Sequence, residues 1–303
     1  MAQTLPTRKL GGSGISVSAI GLGCMSFSGT YGPSDDAAST TLIHDALEAG
    51  VTLFDSSDAY GKGHNETLLG NALKGKRSGV VIATKFGNLG GAGGKYADGR
   101  PDFVISSCEA SLKRLGVDVI DLYYAHRIDP SVPIEDTVGA MAKLVQQGKV
   151  RALGLSEASP ATVRRAHKVH PIAAVQNEYS LLYREQGDDT RKATRELGIS
   201  LVAYAPLGRG LLTSDIADPA TLSEGDTRKR QPRYAGDNLA HNRALAEKFQ
   251  AIAKEGLHAG AAGAGLGAGA GQRRHSDSRD QAEEAALGKS RRAQRQAFRR
   301  RAC

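Results

Sequence analysis

Long apolar runs are missing from this 303-residue chain. A bilayer-spanning helix needs about 20 consecutive, mainly apolar residues, and no window offers them. The start, Met1-Ala-Gln-Thr, has neither the charged first segment nor the apolar core of a secretory signal. The expected location is therefore the cytoplasm, with no membrane partner. Cysteine is scarce as well: Cys24, Cys108 and Cys303 are odd in number and lie in no metal or disulfide spacing. They read as buried or incidental thiols, and no metal is predicted. A full glycine-rich dinucleotide fingerprint is also lacking, since Gly21-Leu22-Gly23-Cys24-Met25 places glycines in a loop without that spacing. This weakens an open doubly wound sheet as the architecture.

The net charge of +8 suggests nucleic-acid binding until it is located. From Leu257 onward there are ten Lys plus Arg against four Asp plus Glu, which leaves 30 against 28 for the rest. The body of the protein is nearly neutral. The basic tail carries only Phe298 as an aromatic, so the basic-aromatic interleaving of a nucleic-acid surface is absent and no such partner is expected.

What is present is a repeat of short β-branched strands and helical segments. Strand-like runs are Ala19 to Leu22, Thr52 to Asp55, Val80 to Lys85, Val119 to Ala125, Val150 to Leu155, Ala173 to Gln176 and Leu201 to Ala205. Helices are predicted for Ala37 to Ala49 after Asp35 and Asp36, for Phe103 to Leu115 after Asp102, and for Ala161 to Val169 after Ser159-Pro160. Short apolar strands alternating with amphipathic helices imply a parallel sheet covered by helices. The length suits one closed barrel of about 250 residues better than two domains. The expected fold is α/β, a TIM-type (β/α)8 barrel over residues 1–256, preceded by a hairpin around Arg8 to Val17.

Four polar residues sit where three of these strands end. Asp55 and Tyr60 follow Thr-Leu-Phe, Lys85 closes Val-Ile-Ala-Thr, and His126 closes Leu-Tyr-Tyr-Ala. An apolar strand ending in one ionisable group points that group out of the core. A cation beside a phenol favours the phenolate and lowers its pKa, so an acid, a phenol, an amine and an imidazole together can tune a proton donor. Singly, each has a structural reading: Asp55 and Lys85 as an ion pair, Tyr60 as a loop aromatic, His126 as a satisfied strand-end histidine. Their joint occurrence points to catalysis. His64, His170 and Tyr123 read as structural, with His64 a distant candidate for the substrate mouth.

This set resembles the tetrad of the aldo-keto reductases. The likeness runs from about Thr7 to Glu255 and includes Gly-Leu-Gly-Cys-Met at 21–25, Ser-Leu-Lys-Arg-Leu at 111–115 and Gly-Lys-Val-Arg-Ala-Leu-Gly-Leu-Ser at 148–156. Val-Gln-Asn-Glu-Tyr-Ser at 175–180 and Val-Ala-Tyr-Ala-Pro-Leu-Gly-Arg-Gly at 202–210 look most like the bacterial branch acting on small carbonyl or quinone-like compounds. The resemblance implies NADPH at the C-terminal mouth of the barrel and a small or aromatic carbonyl substrate. Tyr60 would protonate the nascent alkoxide, Lys85 would acidify it, Asp55 would hold Lys85, and His126 would orient the substrate oxygen.

By the same resemblance, Ser156 and Gln176 would hold the nicotinamide carboxamide and Tyr204 would stack on its ring. The loop Ala205 to Arg209, with Leu207 and Gly208, would follow the pyrophosphate, and Gly23 and Met25 would border the cofactor. Position 157 departs from the pattern: it is Glu, where many members have Asn, and an ionised Glu cannot donate. Glu157 is read equally as facing outward. The long connection Thr213 to Asp237 is expected to form part of the substrate mouth, because loops after strand ends build such sites. Some relatives serve as cofactor-sensing subunits of membrane channels, a non-catalytic alternative that needs a partner surface.

The pattern stops near residue 257. Residues 258–271 read His-Ala-Gly-Ala-Ala-Gly-Ala-Gly-Leu-Gly-Ala-Gly-Ala-Gly, and each interior Gly costs a helix about 1 kcal/mol relative to Ala. Codons such as CTG GCG, read one base early, become GCT GGC, so a Leu-Ala helix turns into an Ala-Gly run. In the second-base frame, His275 to Gln281 permits Ile-Pro-Ile-Pro-Gly-Thr-Lys, and Leu287 to Arg292 permits a run containing Glu-Asn-Leu-Gly-Ala. Both resemble the family's eighth strand and its adenosine 2′-phosphate site, in order. A net one-base insertion near codons 256 and 257 is therefore predicted, making 257–303 a frame-shifted tail. Losing a βα unit leaves the first and seventh strands as edges and would outweigh a net stability of roughly 5–15 kcal/mol. The chain as given is then expected to fold poorly and be inactive, with Lys289 or Arg291 matching the phosphate site only by accident.

Overall fold

Alternation along the strands builds the architecture. In β4 (Leu53–Asp55), β5 (Val81–Phe86) and β6 (Ile120–Ala125), Leu53, Val81, Ala83, Leu122 and Tyr124 fill one apolar cluster. Their neighbours Phe54, Ile82, Phe86, Tyr123 and Ala125 belong to another. The same alternation continues in β7 (Val150–Ser156) and β8 (Ile172–Glu178), with Ala152 and Ala174 in the first cluster and Leu153, Leu155 and Val175 in the second. Residues two apart share a face, so the first cluster is the barrel interior and the second the layer under the helices. With β3 (Leu22–Gly23) and β9 (Ser200–Tyr204) these form one parallel seven-stranded sheet in sequence order.

This is a computed structural model, and it describes residues 5–213 and 219–253. The curled parallel sheet, each strand but the last followed by a covering helix, is a (β/α)8 TIM-type barrel with seven strands among the described residues. There, β3 and β9 are the sheet's two edges. The expected eighth strand, the Ala-Gly alternation and the basic tail lie outside the described residues.

The helices begin where local chemistry lets them. Asp35 caps α1 (Asp36–Glu48) by accepting from Ala38 N, and Ser159 caps α5 (Pro160–Val169) by accepting from Thr162 N, with proline in the first turn. In α3 (Pro101–Leu115) the cap is Arg100, not Asp102, which falls in the first turn; Gly116 ends the helix in left-handed conformation at φ 63°. Proline after Arg100 moved the start two residues back. Helices α2 (His64–Ala72), α4 (Ile134–Gln146), α6 (Glu185–Glu196) and α7 (Gly236–Ala253) complete the set. Their buried Leu69, Val138, Met141 and Leu144 each contribute roughly 1.5–3 kcal/mol through burial.

The hairpin of β1 (Thr7–Lys9) and β2 (Ser16–Ser18) pairs Arg8 with Val17 and plugs the N-terminal end. Leu10, Ile15 and Val17 pack with the interior cluster, and Gly11 N donates to Ser200 Oγ at 2.9 Å. Gly154 lets the Tyr124 ring into the interior: a Cβ there would lie 2.3 Å from that ring.

Candidate active site

The alternation that fills the interior also aims the polar residues. Asp55 continues the register of Leu53, Lys85 that of Val81 and Ala83, His126 that of Leu122 and Tyr124, and Gln176 that of Ala174. Each stands one layer above the packed interior at the C-terminal strand ends, where barrel sites are built. Lys85 is fully buried. Its ammonium is ion-paired to Asp55 Oδ1, donates to Ser56 O at 2.8 Å and reaches Tyr60 Oη at 3.3 Å. Tyr60 and His126 meet edge to face with ring centroids 5.7 Å apart. The four predicted residues are thus gathered around one point.

The electrostatics differ from the sequence expectation in one respect. Lys85 does act to lower the Tyr60 phenol, yet burial outweighs it and the Asp55 charge opposes it, so the phenol is held above its ordinary value. A paired Lys–Asp unit is nearly neutral seen from the ring; the sequence reading paired the two but weighed neither this cancellation nor the burial of the phenol. Lys85 is raised: burial acts to lower it, but Asp55 and Tyr60 together win. His126 is held well below its usual range by burial, then by the charges of Lys85 and Arg127. At neutral pH the site therefore has a protonated phenol, an ammonium and a neutral imidazole.

The predicted cofactor residues lie around the same mouth. Ser156, buried at the end of β7, pairs across the sheet with Gln176 and accepts from Arg127 Nη1 at 3.4 Å. Gln176 Nε2 donates to Asp55 Oδ2 at 2.8 Å. Gly23 pairs with Asp55, and a Cβ there would meet open space; Met25 opens the short turn Met25–Ser28 after it. Tyr204 ends β9 with the Arg209 guanidinium 5.7 Å from its ring centroid. Leu207 and Gly208 form the turn between them, Gly208 at φ 61° with Leu182 close by. Open space beside Gly23, the Ser156 hydroxyl, the Gln176 amide and an aromatic face suit a nicotinamide nucleotide.

Among the described residues the non-glycines at positive φ are Lys62 (54°), Glu157 (55°), Ala205 (50°) and Arg209 (59°). All four flank this mouth, and strained backbone gathers at ligand sites. Glu157 does not face outward: Oε1 accepts from Glu178 N at 2.9 Å, beside Tyr204.

Sequence reasoning passed over five neighbours. Glu178 takes Arg209 at 3.1 Å and Arg233 at 2.6 Å, and Tyr234 Oη donates to Arg209 O at 2.7 Å. The described part of the long connection thus packs against the 205–210 turn. It also reaches the other rim, where Thr227 N donates to Thr30 O at 3.1 Å. Ser57 and Asp58 stand between Asp55 and Tyr60 in the same string, and their polarity was the only signal. His64 is held by Ser28 and Asp36, and Tyr123 stacks on Phe86, both away from the tetrad. Cys24 and Cys108 are buried free thiols. No group of residues among those described could hold a metal, and no described helix is long and apolar enough to cross a membrane.

A parallel barrel with an Asp, Tyr, Lys and His gathered at its C-terminal mouth defines an oxidoreductase of the aldo-keto class. Residues 19–261 match the aldo/keto reductase family, and the chain belongs to it. Among similar solved structures is the glycerol dehydrogenase AKR11B4 from Gluconobacter oxydans, 30% identical with a TM-score of 0.76, covering 88% of this chain and 83% of that one. Another is the thermostable aldo-keto reductase Tm1743 in complex with the inhibitor epalrestat, 30% identical with a TM-score of 0.62, covering 83% and 80%.

Proposed function

We propose that this barrel reduces small or aromatic aldehydes and ketones to alcohols with NADPH, Tyr60 serving as proton donor. The observation that carries this is the contact of the buried Lys85 ammonium with both Asp55 and the Tyr60 hydroxyl. When bound, the dihydronicotinamide supplies hydride to the carbonyl carbon. Tyr60 is kept protonated by burial and gives its proton from Oη to the carbonyl oxygen. Lys85 steadies the phenolate left behind, which costs little because the cation is already in place. A neutral His126 orients the substrate oxygen. Ser156 and Gln176 would hold the carboxamide, Tyr204 the ring face, and the turn 205–209 the pyrophosphate, with Gly23 and Met25 at its edge.

A glycerol dehydrogenase among the structural neighbours supports a test panel that includes glyceraldehyde, dihydroxyacetone and glycerol beside aromatic aldehydes. NADPH oxidation over that panel is the experiment, with NADH in parallel. Absence of turnover with every carbonyl, in a folded protein that binds the nucleotide, would favour the cofactor-sensing alternative instead.

The Ala-Gly alternation at 258–271 favours a second reading for the chain as given: its tail is frame-shifted and the 2′-phosphate grip is not encoded. Turnover then belongs to the frame-restored protein, and the given chain is a weak or inactive remnant. Reading the nucleotides across codons 250–303 decides this. Codons incompatible with Pro-Gly-Thr-Lys in the second-base frame would overturn it, as would robust turnover by the 303-residue chain.

A further inference from the structure

Behind His126 lies a pair of residues that the reductase reading leaves unused. The Ser57 hydroxyl is fully buried and has one proton for three acceptors. They are His126 Nδ1 at 2.9 Å, Asp58 Oδ1 at 3.2 Å and Lys85 O at 3.4 Å. Its oxygen meanwhile accepts from Ala59 N at 3.2 Å. A hydroxyl donates once, so the acceptor it takes fixes which ring nitrogen of His126 carries the proton. Because the ring is held neutral, one nitrogen has it and the other does not.

We propose that Ser57 and Asp58 are positioning residues that set the tautomer of His126, with the charge on Asp58 selecting it. While Asp58 is ionised, a charge-assisted bond draws the Ser57 proton. Nδ1 must then be protonated to donate to Ser57 Oγ, and Nε2 is a lone pair that repels a carbonyl oxygen but accepts from an alcohol. Once Asp58 is protonated it competes no longer and becomes a donor to Ser57 Oγ. Ser57 then donates to Nδ1, and Nε2–H is free to hold a carbonyl oxygen. The balance is one proton taken from solvent by Asp58, while the ring releases one at Nδ1 and regains one at Nε2. Carbonyl reduction and alcohol oxidation thus call on opposite states of one carboxyl group.

The setting of Asp58 makes the switch accessible. Burial pushes its carboxyl up to about 6, with the Glu66 charge adding and Arg114 opposing. Glu66 of α2 is itself tied to Arg114 of α3 and to Thr84 of β5, and the buried Tyr123 of β6 is near enough to feel the charges of both Asp58 and Glu66. On the imidazole side stand Lys85, Arg127 and Tyr60.

This inference rests on the reductase reading for its purpose, but ring protonation can be read without turnover. The test is two-bond proton–nitrogen correlation on whichever of the given and frame-restored chains shows a cooperative melt, labelled at histidine, with His126 assigned from the spectrum of His126→Gln. The expected result is an Nε2–H ring at about pH 5 and an Nδ1–H ring at about pH 7.5. Asp58→Asn should hold the Nε2–H form at both, and Ser57→Ala should abolish the dependence. A ring with the same tautomer at both values overturns the proposal, as does one that takes up a second proton like a free histidine. Spectra of Asp58→Asn that superimpose on the parent overturn it equally. In a chain that turns over, kcat for reduction should fall about fivefold across that interval while KM for the nucleotide stays put, and Asp58→Asn should flatten the profile. A tautomer switch without any carbonyl turnover would sink the reductase reading and leave this one standing.

Discussion

Both ends of the barrel pair a carboxylate with cationic side chains, and they do so to opposite effect. At the N-terminal end Asp121, the second residue of β6, is buried and saturated. It accepts from Ile82 N at 2.8 Å and Arg151 Nη1 at 2.7 Å and is also ion-paired to Arg77. Arg77 and Arg151 both reach solvent, beside a cavity of about 1160 Å³ that the hairpin residues Gly14 to Ser16 also line. At the C-terminal end the cation is the buried partner. Lys85 is fully enclosed, while Asp55 keeps 18% of its side chain exposed, and the ammonium has a hydrogen bond left for a phenol. A carboxylate whose partners are all spent can only hold strands together. A buried amine with one donor turned to a titratable hydroxyl can do chemistry.

The sharpest way to break this contrast is to remove the phenol. Tyr60→Phe, in whichever of the given and frame-restored chains turns over, should lose at least about 100-fold in kcat, with the nucleotide's Kd nearly unchanged, because the ring remains. Lys85→Met should be comparably damaging. A Phe variant keeping more than a few per cent of turnover would remove Tyr60 from the mechanism.

At the other end the expected effect falls on stability alone. Asp121→Ala leaves the buried Ile82 N–H without its acceptor and two guanidinium groups without their counter-charge. Breaking a buried pair costs about 3–5 kcal/mol, and because both arginines reach solvent the loss here should be about 2–4 kcal/mol. Urea titration measures it. Normal stability, or a raised KM in a fully folded variant, would mean that this end is not the purely structural one.

How far the sequence foretold these two ends follows from what fixes them. The strands, the hairpin and the aim of Asp55, Lys85 and His126 were legible because alternation with period two sets both burial and aim, whereas Tyr60 lies on the short turn Tyr60–Gly63 after β4 and was picked out by the family-like string it sits in. Leu53 inside requires Asp55 inside, and Ala83 requires Lys85. Five strand ends were misjudged by a residue or two: Gly23, Phe86, Ser156 and Glu178 pair through backbone bonds that side-chain pattern does not report, and the last strand stops at Tyr204, before Ala205. Helices α2, α4, α6 and α7 went unassigned. In α6, Glu185–Glu196, the buried positions are Gly187, Thr190, Ala193 and Thr194, too small or polar to mark an apolar face. The direction of the Tyr60 shift was missed because it depends first on how deeply the ring is buried and then on its distances from Lys85 and Asp55, which no string of letters contains.

A smaller effect should separate Asp58 from its surroundings. Its carboxyl moves from an ordinary value of 3.8 to about 6 on folding, so the fold disfavours the charge. The stability it contributes is complete below 3.8 and is lost as pH rises through about 6. Asp58→Asn should therefore stabilise the protein at about pH 8 by about 1–2 kcal/mol, after allowance for partial solvent access, and change little at about pH 3.5. Equal effects at both values, read by thermal melts, would show that the substitution acts through packing instead of charge.

The smallest effect concerns Glu157. Its backbone sits at φ 55°, a conformation that Asn tolerates better than Glu, and its carboxylate is spent on Glu178 N. Asn has a shorter reach and would leave that amide unpaired while relieving the backbone. The two terms oppose each other, so Glu157→Asn should change stability by less than about 1 kcal/mol. Binding of the nucleotide is the more telling measurement. An amide can donate to a carboxamide oxygen where an ionised Glu cannot, and one such bond is worth about 0.5–1.5 kcal/mol, so the Kd should tighten by roughly two- to tenfold. If it weakens instead, the Glu157–Glu178 contact is what shapes the ring pocket, and the carboxylate at this position belongs to the site's frame.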